Sequence, residues 1–175
     1  MAIREILLLG NPILRMRCEN TKNFSDFELR QTVDDLRDTL VDFRSRHGFG
    51  RGIAAPQIGV TKKIIFMNID AEVALFNPEI VKRSRKLMTL WDDCFSFPDI
   101  LVKVNRYTKI SVRYQDASGA KQLLEAEGAL SELLQHEIDH INGTLAVDRA
   151  IDSRHIILRN EWKKLAQASK KIYSF

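Results

Sequence analysis

Cysteine is scarce in this sequence, and no long apolar run occurs. Only two cysteines, Cys18 and Cys94, are present among 175 residues. The start, Met1–Glu5, shows neither a secretory apolar segment nor a basic transit segment. No stretch approaches the about 20 apolar residues that a membrane-spanning helix needs. A chain of this length can bury a full core without disulfides. We therefore expect one cytoplasmic domain over residues 1–175, monomeric and without a membrane partner.

The chain also lacks a strong excess of one charge. Its 27 basic and 23 acidic residues leave a formal net charge of +4, which permits an RNA-rich neighbourhood without requiring one. Basic residues do recur in the last quarter of the chain, where they are Arg154, Arg159, Lys163, Lys164, Lys170 and Lys171. A basic helix is most often a solvated face.

Periodicity predicts three helices, with a run of strands between the first two. The first helix is expected from about Ser25 to His47, begun by a Ser25–Glu28 capping pattern. The others are expected over 128–141 and 153–170. Alternation of apolar and polar residues in 108–115 is typical of a half-buried strand. Further strands are predicted at 63–69, 74–77, within 79–90, and at 101–104 and 121–126. The fold class predicted is α+β, with antiparallel or mixed sheets packed around a central metal-binding helix.

The segment Gln135–His140, with the sequence QHEIDH, has the spacing of a metal site. Residues i and i+4 share one face of a helix, so His136 and His140 can bind the same ion. Glu137 lies beside them, where it can act on a water that the metal activates. A solvated helix face is the alternative interpretation. The spacing favours a divalent metal site.

Two histidines do not complete such a site, because a catalytic metal usually has three protein ligands. Downstream candidates for the third ligand are His155, Asp148, Asp152 and Glu161. Glu161 would complete a thermolysin-like endopeptidase, and sequence spacing does not exclude it. The upstream candidate is Cys94, since a thiolate binds zinc or ferrous iron strongly, although most free cysteines are small buried apolar residues.

Three segments resemble, in order, the motifs of peptide deformylases. Residues 50–57, GRGIAAPQ, are similar to the GxGxAAxQ motif, and residues 92–96, DDCFS, resemble EGCLS. The QHExDH motif at 135–140 is intact. Shorter similarities lie at 10–15 and 142–148, and the resemblance covers about residues 3 to 150.

This resemblance implies hydrolysis of the N-formyl group from formyl-methionine at the start of nascent peptides, with release of formate. It implies that the metal ligands are Cys94, His136 and His140. Ferrous iron is the usual physiological metal of the family, and nickel, cobalt or zinc can occupy the site. Tails of bacterial relatives dock on the ribosome, so a ribosome contact through the basic C-terminal helix is expected.

Catalytic roles follow from the same resemblance. Glu137 would take a proton from water and return it to the leaving amine. The side-chain amide of Gln57 and the backbone N–H of Phe95 would stabilise the oxyanion. Gly50 and Gly52 would let their loop pass close to the metal and to the substrate backbone.

Two departures from the family pattern affect the methionine pocket. Arg51 stands where an aliphatic residue is usual, and Glu132 replaces an apolar wall one turn before His136. On one hypothesis the two side chains approach each other and close, narrow or polarise the pocket. On the other, which we adopt as the default, both reach solvent. The pocket would then be lined by Ile53, Leu133 and Ala129.

Further departures surround the cysteine. Asp92 replaces a glutamate and is expected to pair with Arg106. Asp93 replaces a glycine, and its charge should strengthen metal binding and discourage acidic substrates. Phe95 replaces a leucine. Asp139 would either orient a ligand histidine through its second ring nitrogen or be an ordinary surface acid.

Two alternatives to a deformylase remain open at this stage. One is a metal amidase of the same fold that acts on another small N-acyl group. The other is a non-enzymatic paralogue that binds peptides or ribosomes. Every chemical group that the reaction needs is present, which argues against the second alternative. These groups are Gln57, Cys94, His136, Glu137 and His140.

Overall fold

A buried helix lies at the centre of the molecule. The computed structural model describes residues 2–172, and side chains as far as residue 165. The helices are α1 (Phe27–His47), α2 (Ala129–Ile141) and α3 (Arg159–Ile172). The strands are β1 (Gly52–Ala54), β2 (Ile64–Asn68), β3 (Glu72–Arg83), β4 (Leu87–Asp93), β5 (Ile100–Tyr107), β6 (Lys109–Gln115), β7 (Lys121–Glu127) and β8 (Ile156–Leu158). Every residue of α2 from Ser131 to Ile141 is buried, so this helix carries its polar side chains into the interior.

Two antiparallel sheets surround α2. The larger has the strand order β1-β2-β3-β6-β7, which leaves β1 at an edge. The smaller has the order β4-β5-β8. Strand β4 pairs with β5 from Leu87 opposite Tyr107 to Asp93 opposite Leu101. This pairing fixes the position of Cys94, the residue that follows β4.

Within the described residues, the core consists of three apolar clusters that hold these elements together. One packs α2 against the larger sheet, through residues such as Leu134 and Ile110. A second packs α1 against β1 and β2, with Leu36 and Leu40 completely buried. Full burial of a side chain of this size stabilises the fold by about 1.5–3 kcal/mol. The third cluster includes Cys94 itself, so the cysteine loop is part of the core.

The predicted α+β class with antiparallel sheets is confirmed, while several boundaries were wrong. Helix α1 begins after Asp26, whose carboxylate accepts a hydrogen bond from the Glu28 N–H at 3.0 Å. Ser25 instead donates to Asn23. Asp26 is therefore the N-cap, and the predicted Ser25–Glu28 capping box does not form.

The C-terminal helix begins at Arg159, six residues later than predicted. Residues 153–155 form a 3₁₀ turn, and Ile156–Leu158 pair with β5, with Leu158 opposite Ile100. This pairing partner lies far away in sequence, so local periodicity could not reveal it. The short edge strand β1 was not predicted either. Among the described helices, none is both long and apolar enough to cross a bilayer.

Candidate active site

Three of the predicted side chains converge on one point inside the protein. Cys94, His136 and His140 are all buried, and their ligand atoms lie within 4.8 Å of one another. The two histidine Nε2 atoms are 3.1 Å apart, and Cys94 Sγ lies 3.2 Å from His140 Nε2. Helix α2 supplies both rings from adjacent turns, and the end of β4 supplies the sulfur.

This arrangement fits a single metal ion. Metal–nitrogen bonds of about 2.0 Å and metal–sulfur bonds of about 2.3 Å allow one ion to reach atoms at these separations. Two imidazoles and a thiolate also form a donor set suited to zinc or ferrous iron. None of the other candidate ligands belongs to such a cluster in the described part of the chain. Asp148 binds Arg15, Asp152 binds His155, and Glu161 binds Lys164.

Glu137 is buried beside the cluster and adjoins Gly52 of the edge strand β1. Burial raises the pKa of its carboxyl to about 7. Within the described residues, its Oε2 atom has no hydrogen-bond partner. A Cβ at Gly52 would lie 3.0 Å from Glu137 Oε1 and 3.2 Å from Leu133 Cδ1. Glycine therefore allows β1 to pass close to the carboxylate.

Gln57 is held with its amide group toward the cysteine loop. Its Oε1 accepts a hydrogen bond from Ala54 N–H at 2.9 Å, which fixes the orientation of the amide. Its Nε2 then donates to Ser96 Oγ at 3.3 Å and to Cys94 Sγ at 3.6 Å. The N–H of Ser96 also donates to Cys94 Sγ, at 3.4 Å.

His136 is oriented by Asp92. Its Nδ1 lies 2.9 Å from Asp92 Oδ1, which leaves Nε2 for the metal cluster. The other carboxylate oxygen of Asp92 accepts from Arg106 Nη2 at 2.8 Å. Burial alone would raise the pKa of Asp92, but His136 and Arg106 outweigh it and hold that pKa below its ordinary value. The predicted Asp92–Arg106 pair is thereby confirmed.

Asp139 does not contact a ligand histidine, so that prediction was wrong. Its carboxylate accepts from Arg106 on one side and from Arg149 at 2.7 Å on the other. The surface alternative was wrong as well, because Asp139 is buried. Asp139 holds Arg106, and Arg106 holds Asp92.

A cavity of about 540 Å³ opens onto this cluster. Its floor includes Cys94, His136 and Glu137, and one wall is formed by Gly50–Gly52 at the sheet edge. Among the described strands, β1 pairs with β2 alone, so its other side is a sheet edge.

Comparison with known proteins identifies the family. The model of the polypeptide deformylase family matches residues 3–155. The chain belongs to the polypeptide deformylase family. The peptide deformylase of Thermotoga sp. (strain RQ2) is 33% identical over 167 residues, covering 95% of this chain and 98% of the relative. That of Brachyspira hyodysenteriae is 36% identical, covering 93% of this chain and 89% of the relative. The crystal structure of a peptide deformylase from Legionella pneumophila superposes with a TM-score of 0.81 at 33% identity, covering 98% of this chain and 97% of that one.

Family membership supports removal of N-formyl groups from nascent peptides, and peptide deformylases use a single catalytic metal ion. In this chain, the buried Cys94, His136 and His140 cluster is the place where such an ion could be held.

The cavity departs from our default expectation. Arg51 and Glu132 do not both reach solvent, because Arg51 Nη2 lies 2.6 Å from Glu132 Oε2. Leu133 lines the cavity, as expected. Ile53 is completely buried in the core instead, packed with the α1 cluster. The structure therefore agrees with the hypothesis that Arg51 and Glu132 approach each other as a charged pair.

Asp93 has a partner that the sequence did not indicate. Arg159, the first residue of α3, donates to Asp93 at 3.0 Å and places its guanidinium carbon 4.3 Å from the ring centre of Phe49. Asp93 therefore carries a compensated charge, and the expected repulsion of acidic substrates is weakened. The Phe95 ring stacks on Phe43, with ring centres 3.9 Å apart.

Proposed function

We propose that this protein hydrolyses the N-formyl group of formyl-methionine at the start of nascent peptides, releasing formate and a free amine. The observation that carries the proposal is the convergence of Cys94, His136 and His140 beside the buried carboxyl of Glu137. In our proposal residues 1–175 act as one catalytic domain.

The metal ligands would be Cys94, His136 and His140. A divalent ion held there, ferrous iron in our proposal, would supply Lewis acidity that activates water and polarises the formyl carbonyl. Zinc, nickel or cobalt are further ions that this donor set accommodates.

Glu137 would first accept the proton and later donate it. With a pKa raised to about 7 by burial, its carboxyl can take a proton from water and later release it to the leaving nitrogen near neutral pH. Its position next to His136 on α2 places it at the metal cluster, and Gly52 leaves room for it.

Gln57 and Phe95 would stabilise the negative charge that develops on the formyl oxygen. The Gln57 amide is fixed in advance through its bond from Ala54 N–H. The backbone N–H of Phe95 follows the ligand cysteine directly. Donors that are already oriented cost little reorganisation in the transition state.

The peptide would lie along the cavity wall. Gly50, Arg51 and Gly52 form the sheet-edge side of this wall, and Glu132 and Leu133 of α2 form the other side. These five residues are our proposed substrate-binding set. The protein is proposed to be a cytoplasmic monomer, and the exposed Lys163 and Lys164 of α3 support a proposed ribosome contact.

A direct test compares two acyl groups on one peptide. Protein purified without oxygen and loaded with iron or nickel should release formate from formyl-Met-Ala-Ser and should not release acetate from acetyl-Met-Ala-Ser. Preference for the acetyl peptide would instead support an amidase of the same fold with another acyl substrate. Absence of hydrolysis of both peptides by fully metallated protein would contradict the proposal.

A further inference from the structure

An ion pair lies inside the active-site cavity, between the sheet edge and the central helix. Arg51 Nη2 contacts Glu132 Oε2 at 2.6 Å, and Arg51 Nη1 donates to the carbonyl oxygen of Ala129 at 3.2 Å. The guanidinium is thus tied at two points to the first turn of α2. Both Arg51 and Glu132 line the cavity.

The position of the pair along α2 relates it to the substrate. Glu132 and Leu133 precede His136 and Glu137 by four residues each, which is about 6 Å along the helix axis. His136, Glu137, Arg51 and Glu132 line the same cavity, so a first side chain that fills this cavity would lie beside the pair when the formyl group is at His136 and Glu137. The pair would therefore contact that side chain.

The contact between Arg51 and Glu132 is expected to persist. The Glu132 side chain is only 12% exposed, whereas that of Arg51 is 42% exposed. Opening the pair would leave a largely buried carboxylate without its partner, which is strongly unfavourable. A substrate side chain must therefore fit beside the pair and cannot easily displace it.

The chemistry of the guanidinium then determines which side chains fit. Arginine has five N–H donors, and the contacts to Glu132 and Ala129 do not use all of them. A long apolar side chain would cover the remaining donors without accepting a hydrogen bond, which is costly. A short side chain with an oxygen acceptor could accept from them.

We infer that the Arg51–Glu132 ion pair determines specificity, by reducing the advantage of methionine and admitting formyl peptides whose first side chain is short and polar. The inference rests on the proposed deformylase function. Methionyl peptides remain substrates, but they are expected to lose much of their usual preference over seryl peptides.

The test measures kcat and KM for formyl-Met-Ala-Ser and formyl-Ser-Ala-Ser with metal-loaded protein. In the unmodified protein we expect the two kcat/KM values to lie within about tenfold of each other, since a single pocket contact changes specificity by about 10–200-fold. In Arg51→Val/Glu132→Leu the methionine preference should rise by about tenfold or more. Most of this change should appear in KM for the methionyl peptide.

A control variant isolates the pair. Lys109 and Glu127 form an exposed pair of similar length, 2.8 Å, outside the cavity, and Glu127→Leu should not change the ratio.

Two results would overturn the inference. One is a methionine preference of about 100-fold or more in the unmodified protein, a measurement that needs no variant. The other is an unchanged ratio in the double variant. Absence of formate release from both peptides would contradict the proposed function itself, which distinguishes the two failures.

Discussion

Asp92 Oδ1 lies 2.9 Å from His136 Nδ1, and the other oxygen of the same carboxylate binds Arg106. One acid thus fixes the ring of a proposed metal ligand and is itself fixed by a buried cation. Carboxylates in this position orient a ligand histidine and increase its basicity. The cysteine loop and the central helix are joined through this contact, because Asp92 belongs to β4 and His136 to α2.

Substitution Asp92→Asn is therefore expected to weaken metal binding by about 10–100-fold. The amide keeps the shape of the side chain but loses the charge that faces the imidazole. The dissociation constant of zinc, measured by competition with a chelator, checks this. Asp92→Glu restores the charge and should bind nearly as well as the unmodified protein. Equal affinity in Asp92→Asn would show that the contact does not support the site.

The identity of the third ligand can be tested through metal content. Cys94→Ala should lose stoichiometric metal, because Sγ is the proposed third donor and lies 3.2 Å from His140 Nε2. Glu161→Gln should retain it, since Glu161 binds Lys164 on the exposed side of α3. Elemental analysis of the purified variants gives the answer. Retention of metal in Cys94→Ala, with loss in Glu161→Gln, would support an endopeptidase-like site.

The start of α3 is expected to depend on Arg159. Its guanidinium lies over Phe49 and pairs with Asp93, and the side chain is only 19% exposed. Arg159→Ala should lower the free energy of unfolding by about 1–2 kcal/mol. Arg154 offers a matched control: it pairs with Asp152 but is 87% exposed, so Arg154→Ala should cost less than about 0.5 kcal/mol. Urea unfolding of both variants measures the difference, and equal losses would contradict this account.

The buried thiol of Cys18 is expected to make the free energy of unfolding depend on pH in the alkaline range. Burial raises the pKa of its thiol from 9.0 to about 11, with a partial offset from Lys63. Between these values the unfolded chain releases a proton that the folded protein keeps. The stabilising contribution is therefore complete below pH 9 and is lost as the pH rises toward 11. Urea unfolding between pH 8 and pH 11 should show a flatter pH dependence in Cys18→Ala than in the unmodified protein. Parallel curves for the two proteins would show that the thiol ionises equally in both states.

The sequence predicts well those features that depend on local spacing. His136 and His140 are neighbours on one helix, so their common face followed from the interval alone. The position of Cys94, which is 46 residues from His140, did not follow in this way. Sheet pairing brings the end of β4 to α2, and local spacing does not show this pairing. The role of Cys94 was therefore inferred from the family resemblance.

Long-range pairing also explains what the sequence did not reveal. Asp139 is close to the ligands along the chain, yet the acid that meets His136 is Asp92 on another element. The contact of Arg159 with Asp93 depends on β8 joining β5. No local pattern marks such contacts. The sequence signal for Asp92 was its position two residues before Cys94, where the family has a glutamate.

In our proposal, Glu137 transfers the proton in hydrolysis of a formyl peptide at the Cys94, His136 and His140 site. The most direct measurement is formate release from formyl-Met-Ala-Ser by the unmodified protein and by Glu137→Gln, with metal content determined on the same samples. We predict turnover by the unmodified protein and a loss of about 10²–10⁴-fold in the variant at equal metal content. Equal turnover by both proteins at equal metal content would contradict the claim.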